Sequence, residues 1–250
     1  MILNTLRDIY AVLWVDLRFL SRNWHRTLAT TLIAPVLYLL AFGYGLGMGV
    51  TIEGYSYLQF VIPGITALTA MTISFNAAGM KLHVDRLFYR CFDETLMAPV
   101  GFFAIVVGKT LIGVVRGLIS TVALLVVCFA FSPLPAVGLM FIFVLVVTCF
   151  VFSFLGVFVA LVAKSHQDMN VFMSLVILPM SFLSGTFFSL NQLPEALGIA
   201  LSFSPLTHTS LCLRAAALGQ PFPWFSLAVL LGFGAAFFAL CLVALHRTNE

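Results

Sequence analysis

Long apolar stretches, interrupted at a few places by charged residues, dominate the pattern of this chain. A helix needs about 20 mainly apolar residues to cross the roughly 30 Å hydrocarbon layer of a bilayer, and six stretches meet that requirement. The pattern therefore predicts six transmembrane helices. Their predicted ranges are Leu28–Val50, Tyr57–Met80, Ile105–Phe131, Val137–Ala163, Asn170–Leu190 and Trp224–Leu245.

The composition favours a lipid environment. Of 250 residues, 62% are hydrophobic and 8% are charged, whereas about a quarter are charged in an ordinary soluble domain. A soluble protein would need many more polar residues to cover its surface. The sequence thus predicts a single all-α integral membrane domain over residues 1–250. Its net charge of +3 is too small to favour nucleic-acid binding.

Lysine and arginine are divided unequally between the two sets of connections. Most lie in the N-terminal stretch, the loop after the second span, the turn after the fourth span and the C-terminal end, while the opposite connections carry only Arg214. Because cytoplasmic loops are enriched in these residues, both termini are predicted to be cytoplasmic. The cations on that side are Arg7, Arg18, Arg22, Arg26, Lys81, Arg86, Arg90, Lys164 and Arg247.

Residues 1–26 precede the first span and show a helical period. Apolar residues three or four positions apart share one helical face, and arginines lie elsewhere around the helix. The pattern favours an amphipathic helix in the headgroup plane of the cytoplasmic leaflet. A helix that packs against the other spans is the alternative. The apolar residues are Leu6, Ile9, Leu13, Leu17, Leu20 and Trp24.

Residues 191–223, between the fifth and sixth spans, are too polar to cross a membrane and too apolar for a free loop. Pro194 and Pro205 bracket a stretch long enough for a helix of about 15 Å, half a membrane thickness, and residues 206–218 are long enough for a second. The pattern favours a re-entrant hairpin, whose broken ends must be surrounded by protein. A plain amphipathic outer loop is the alternative.

Two cations lie on the third predicted span. Lys109 and Arg116 are seven residues apart and share nearly the same helical face. Such residues either line a cytoplasmic cavity or extend their side chains to the interface. Gly113 and Gly117 on this span have a spacing that favours close helix contact.

Acidic residues are essentially absent from the other five predicted spans. Ion-driven carriers commonly place carboxylates within their helices. The sequence therefore predicts that energy arrives from a partner at the cytoplasmic loops. The loop 81–99 suits such contact because it interleaves charged with apolar residues; a solvated loop helix is the alternative.

Patterns typical of catalytic and metal sites do not occur in the sequence. The five histidines form no H-x-x-x-H pair, no G-x-S-x-G motif is present, and the five cysteines lack metal-ligand spacing. The chain is therefore predicted not to be an enzyme and to bind no metal or cofactor itself.

A motif in the loop 81–99 resembles one of the ABC-2 type permease family, the membrane subunits of exporters for drugs, polysaccharides and lipid-linked glycans. Glu94-x-Leu96-x-x-Pro99 is similar to the family's E-x-L-x-x-P. Cys91 and Phe92 stand where the family usually has Gly-Thr.

A second stretch, residues 182–214, resembles the same family. It contains F-L-S-G-x-F-F, then L-P, then S-P-L-T and a downstream arginine. Ser189 and Ser204 replace the usual Pro and Asn. The resemblance implies a re-entrant segment near the outer leaflet where substrate leaves. It assigns Ser184, Gly185, Phe187, Phe188, Pro194, Pro205 and Arg214 to that segment.

The resemblance, which covers essentially the whole chain, also implies partners. Two such subunits would form a homodimer with the first and fifth spans at the interface, each docked to a separate ATPase that holds ATP and Mg. Residues 87–97 would be the main coupling helix and residues 164–168 a secondary contact. The implied coupling residues are Arg86, Leu87, Arg90, Glu94, Leu96, Pro99, Lys164 and Asp168.

The combined prediction is a permease subunit of an ATP-binding cassette exporter in a bacterial inner (plasma) membrane. It would move an amphipathic, drug-like, lipid or lipid-linked glycan substrate outward. The small size is similar to nodulation-factor and daunorubicin exporter permeases. An ion-gradient-driven secondary transporter or channel is the alternative, and it would transport without an ATPase; an anchoring scaffold would not transport at all.

Overall fold

The computed structural model describes residues 2–46, 51–52, 54–131, 137–188 and 201–248, which are helical apart from one ribbon and short connections. The ribbon pairs β1 (Thr51–Ile52) with β2 (Tyr55–Ser56) in antiparallel register. Three π-helical segments also occur, Leu39–Leu46, Asn76–Met80 and Met173–Ile177. The α-helices are α1 (Ile2–Tyr38), α2 (Tyr57–Phe75), α3 (Lys81–Leu87), α4 (Cys91–Met97), α5 (Phe102–Phe131), α6 (Leu139–Val162), α7 (His166–Phe172), α8 (Leu178–Leu183), α9 (Pro205–Leu218) and α10 (Trp224–Thr248).

Five helical runs in the described ranges are long and apolar enough to cross a membrane. They overlap the first four and the sixth predicted spans, so the chain is an all-α membrane protein. These runs are Thr5–Phe42, Tyr57–Leu87, Phe102–Phe129, Leu139–Val162 and Trp224–Arg247.

The fifth predicted span, Asn170–Leu190, overlaps a continuous helical run from His166 to Leu183. This run is not among the five, and its first turn is polar. Leu190 lies outside the described residues, as does Val50, the predicted end of the first span.

The N-terminal helix is continuous with the first span in α1, and Asn23, with φ −118° and ψ 15°, marks a kink between them. One face packs on α5, where a Cβ at Gly108 would lie 2.8 Å from Val12. Another face is also apolar, because Leu6, Tyr10 and Trp14, spaced four residues apart, are 60%, 56% and 48% exposed. The structure thus shows packing for one face of this helix and leaves an exposed apolar face beside it.

Helices α2 and α6 form the centre of the bundle, with α5, α9 and α10 packed around them. Phe60 and Phe75 of α2 and Phe152 of α6 are fully buried. Helix α6 is apolar on all sides, as expected for a helix whose faces contact either other helices or lipid.

Small residues let these central helices approach closely. A Cβ at Gly79 would lie 2.7 Å from the carbonyl oxygen of Gly156, so the two backbones touch. A Cβ at Gly113 would lie 2.7 Å from the carbonyl oxygen of Ser74. The close contact predicted for the Gly113 spacing is confirmed.

Candidate functional site

Four charged side chains from three helices meet at the end of the bundle that carries the loop 88–101, here called the loop end. A carboxylate oxygen of Asp16 on α1 lies 3.0 Å from Nζ of Lys81 on α3, and the other lies 3.3 Å from Nζ of Lys109 on α5. Asp85 on α3 lies 3.2 Å from Lys109 and 3.4 Å from Lys81. These four residues, the charge cluster, tie α1, α3 and α5 together.

Three members of the charge cluster are withdrawn from solvent, and the fourth, Lys81, is half-buried. Asp16 is 1% exposed, Asp85 is 7% exposed and Lys109 is 9% exposed. Two carboxylates and two ammonium groups sum to zero charge. Because taking each ion out of water is costly, each charge depends on its opposite partners. Removal of any single member would leave a net charge in the bundle.

Sequence reasoning missed the buried acids of this cluster. The predicted spans themselves contain no carboxylate in the described residues, but two of the helical runs extend beyond the predicted ranges and there carry the buried Asp16 and Asp85. Lys109 is held in ion pairs and does not extend to water. The sequence did contain a sign that Asp16 is buried. It lies three residues after Leu13 and four before Leu20, in the middle of an apolar helical face.

Arg86, predicted to contact an ATPase, points into the bundle. Its Nη1 donates to the main-chain carbonyls of Ala160 and Ala163 at 3.1 and 3.3 Å. The carbonyl of Leu161 accepts from the same nitrogen. A helix leaves its last carbonyls unpaired, and a cation there also interacts favourably with the helix dipole. Arg86 therefore caps α6 and fixes α3 against it.

The loop after α3 turns sharply at Arg90, whose φ is +54°. This left-handed residue separates two helices. The coupling helix predicted over residues 87–97 is therefore shorter than predicted and begins at Cys91. Phe92 is 2% exposed and anchors α4 in an apolar cluster that includes Leu82.

The outer surface of this loop combines apolar and acidic side chains. Phe88 and Met97 are 73% and 88% exposed. Negative charge in the first turn of α4 is favourable because it faces the positive end of the helix dipole. The exposed residues are Leu87, Phe88, Tyr89, Arg90, Asp93, Glu94, Met97 and Pro99, with Leu96 half-buried.

The second predicted contact, residues 164–168, lies beside the first. Ser165 and Asp168 form a capping box at the start of α7, in which Asp168 accepts from the main-chain N–H of Lys164 at 2.9 Å and of Ser165 at 3.0 Å. These hydrogen bonds, first of all that from Lys164, hold the pKa of Asp168 below its ordinary value. The rings of His83 and His166 are 4.7 Å apart, so α3 touches α7.

At the other end of the bundle, Arg214 of α9 is 5% exposed and binds backbone atoms. Its Nη2 donates to the carbonyl of Gly185 at 2.9 Å, and its Nε donates to the carbonyl of Phe60 at 3.3 Å. The guanidinium carbon lies 3.7 Å from the centre of the Phe60 ring. Arg214 thereby joins α2, α9 and the turn 184–188; this end is the turn end.

Further hydrogen bonds hold the turn 184–188. Ser210 donates to the carbonyl of Ser184 at 3.1 Å, and the hydroxyls of Ser184 and Ser204 lie 3.0 Å apart. The hydroxyl of Tyr57 donates to the carbonyl of Phe187 at 3.0 Å. The described residues predicted for this segment are thus brought together, with Gly185 at φ +70° and Phe188 half-buried.

The second short helix predicted after the fifth span is confirmed as α9, which Pro205 begins and which protein almost completely buries. The first short helix, predicted to end at Ser204, lies mostly outside the described residues, and so does Pro194.

A groove of about 490 Å³ opens between α1, α2 and the run 166–183. Its walls are mainly apolar, with hydroxyls from Thr72 and Ser174. Leu37 of α1 and Leu175 of the run 166–183 are 57% and 71% exposed. Arg116 lines a different cavity, between α1, α2, α3 and α5. In the ranges given above, no three His, Cys, Asp or Glu side chains are grouped as a metal site would require.

Spanning helices around an apolar groove, with a buried charge cluster at one end, define a multi-pass membrane protein. The family model described as ABC-2 type transporter matches residues 7–218. That match contains the charge cluster, the loop and the turn. The chain therefore belongs to the ABC-2 type transporter family and is a transport permease, as the resemblance predicted.

Curated relatives agree with this assignment. The "Inner membrane transport permease YadH" of Escherichia coli (strain K12) is 29% identical over 230 residues, which cover 90% of each chain. "Nodulation protein J" of Rhizobium meliloti (strain 1021) is 30% identical over 189 residues, 75% of this chain and 72% of the relative. "Nodulation protein J" of Rhizobium leguminosarum bv. viciae is 30% identical over 200 residues, 75% and 73% of the two chains.

Proposed function

We propose that this chain is the transmembrane subunit of an ATP-driven exporter that moves an amphipathic substrate outward. Two copies form the pathway, and each docks a separate ATPase that holds ATP and Mg. Both termini and the loop end face the cytoplasm of a bacterial inner membrane. Residues 170–183 belong to a further span, and α9 is part of the predicted re-entrant hairpin near the outer leaflet.

The geometry of the loop end carries this proposal. Helix α4 presents exposed acidic and apolar side chains, while Phe92 fixes it to the bundle. From there Arg86 connects α3 to α6, and the charge cluster connects α3 to α1 and α5. A force applied to α4 is therefore transmitted to three long helices through buried, specific contacts.

The groove supports the dimer and the class of substrate. It is bordered by the first predicted span and the run 166–183, and exposed leucines lie on both. The groove on one subunit is open along this exposed apolar face. A second copy packed on the face would close the groove and complete the pathway. Apolar walls with scattered hydroxyls suit an amphipathic molecule. The relatives named as a transport permease and as nodulation proteins are consistent with transport.

The test is export from vesicles containing this chain and its ATPase. Glu94→Lys and Leu96→Ala should reduce ATPase binding and ATP-dependent export together, since both residues lie on the exposed loop. Arg22→Glu is the control, because it makes a charge reversal of the same size at an exposed position on α1, outside the loop. Unchanged assembly and export in Glu94→Lys and Leu96→Ala would contradict docking at this loop.

The two buried carboxylates favour a second candidate, an ion-coupled carrier, because such carriers use acids within their helices. In this chain both acids lie within 3.4 Å of lysines. Vesicles without the ATPase separate the candidates. Transport that persists there and stops when ionophores remove the ion gradient would support the carrier and contradict the exporter.

A further inference from the structure

A cavity of about 570 Å³ lies between α1, α2, α3 and α5. Ligand sites of small molecules typically enclose 300–1,000 Å³, so the cavity is large enough for a head group and part of an acyl chain. The π-helical segment Asn76–Met80 forms part of its wall, and such segments are frequent at functional sites.

Arg116 projects into this cavity from near the middle of α5, about 21 Å along the helix from Phe102. Its Nε is buried and has no hydrogen-bond partner in the described part of the chain. The ion pairs found among the described residues all lie within the charge cluster, so no described carboxylate is within 4 Å of Arg116. A cation at this depth ordinarily has a partner.

Nearby charges do not compensate Arg116. Lys81 and Asp85 also line the cavity, but each is paired within the charge cluster, whose charges sum to zero. Among the described residues that line the cavity, this leaves one net positive charge, that of Arg116. An anion that entered the cavity would neutralise it.

The walls fit an amphiphile. Thr31 and Asn76 add polar groups near Arg116, whereas Met80 and Val84 are apolar. At the rim, Phe19 on α1 is 60% exposed and Tyr89 beyond α3 is 67% exposed. The rim thus offers aromatic surface to an apolar chain that extends out of the cavity toward lipid.

We infer that this cavity binds the anionic head group, phosphate or carboxylate, of an amphiphile, with Arg116 as its counter-ion. A guanidinium is suited to these anions because its donors match two oxygens at once. The inference rests on the proposed function in one respect, since it gives the transported molecule a negative head group. The binding itself requires no transport.

The test measures lipid binding to the purified protein by native mass spectrometry. The probes are phosphatidic acid, phosphatidylcholine of the same chain length and inorganic phosphate. Arg116→Gln should weaken phosphatidic acid binding by about tenfold or more, since a charge-assisted hydrogen bond is worth about 1.5–3 kcal/mol. Arg22→Gln, an exposed arginine on α1, is the matched control and should leave that binding unchanged.

The three probes also distinguish a lipid head group from free phosphate as the anion that binds. Competition by inorganic phosphate would show that the head group alone binds, and lack of competition would show that the acyl chain is required. In either case it is the selective loss of phosphatidic acid binding in Arg116→Gln that supports an anion site at Arg116. Equal loss in Arg116→Gln and Arg22→Gln, or loss of phosphatidylcholine binding to the same extent, would overturn it.

A second measurement does not depend on a variant. A photoreactive phosphatidic acid should label peptides containing Phe19, Asn76 or Tyr89 in the unmodified protein, and a photoreactive phosphatidylcholine should not. Labelling confined to other helices would overturn the assignment even if Arg116→Gln failed to fold. Because no ATPase is present, a failed export assay and a failed binding assay stay separate results.

Discussion

The two ends of the helix bundle stabilise cations in different ways. At the loop end, Lys81 and Lys109 face carboxylates on neighbouring helices. At the turn end, Arg214 donates to backbone carbonyls and stacks on Phe60. The loop end depends on the relative positions of three helices, because neutrality is reached only when all are in place. The turn end depends on donor geometry, because carbonyls are dipoles with fixed directions.

The largest expected effect comes from unbalancing the charge cluster. Asp16→Asn and Lys109→Met should each cost about 3 kcal/mol or more, because each leaves one uncompensated buried charge. The double variant keeps the cluster neutral and should lose clearly less than the sum of the two. The free energy of unfolding in bicelles is the measurement. Additive losses would show that the four charges do not act as one network.

Arg214→Lys tests the turn end. Lysine keeps the charge but cannot reproduce two directed bonds and the stacking on Phe60, so a loss of about 2 kcal/mol is expected. Arg22→Lys, at an exposed position, should have no measurable effect. The same unfolding measurement applies. If Arg214→Lys is neutral, the turn end needs only a positive charge and the contrast with the loop end disappears.

Gly64→Ala tests how closely α2 approaches the turn 184–188. A Cβ at Gly64 would overlap the carbonyl oxygen of Thr186, so a loss of about 1–3 kcal/mol is expected. Gly232→Ala in α10 is the control, because its Cβ would meet nothing within 4 Å. That control should be neutral or gain up to about 1 kcal/mol from helix propensity. Equal effects would mean that the turn moves freely away from α2.

The smallest expected effect is at Asp168, an exposed carboxylate that caps α7. Its pKa is lowered in the folded protein, so its contribution is present above the unfolded pKa and is lost as pH falls through the folded pKa. Asp168→Asn should therefore lower the melting temperature slightly at pH 7 and not at low pH. Asp8→Asn, within α1 and beyond its first turn, is the control. If Asp168→Asn lowered the melting temperature equally at pH 7 and at low pH, the Asp168 carboxylate would not be acting as a charged helix cap.

Much of the architecture could be predicted from residues in their order. The apolar runs that became α2, α5, α6 and α10 exceed the length of a bilayer crossing, and length and hydropathy are properties of a single segment. The helix after Pro205 and the close contact at Gly113 also depend on local pattern. The break at Arg90 could not be foreseen, because a left-handed residue other than glycine carries no strong sequence signal.

Only part of the candidate site could be predicted from the sequence. Glu94 and Pro99 are exposed on the loop as predicted, but Arg86 is turned inward onto the carbonyls at the end of α6. Asp168 lies at the predicted contact, where it serves as a helix cap. Each correction concerns the direction of a side chain, which depends on what lies across from it.

By itself, the sequence determined that this protein belongs in a membrane, where most of its helices lie and to which transporter family its motifs correspond. Tertiary structure alone decided that Asp16 meets Lys109, 93 residues away, and that no described carboxylate lies within 4 Å of Arg116. The reason is that hydropathy adds up along one segment, whereas the energy of a buried charge depends on charges that other segments bring to it.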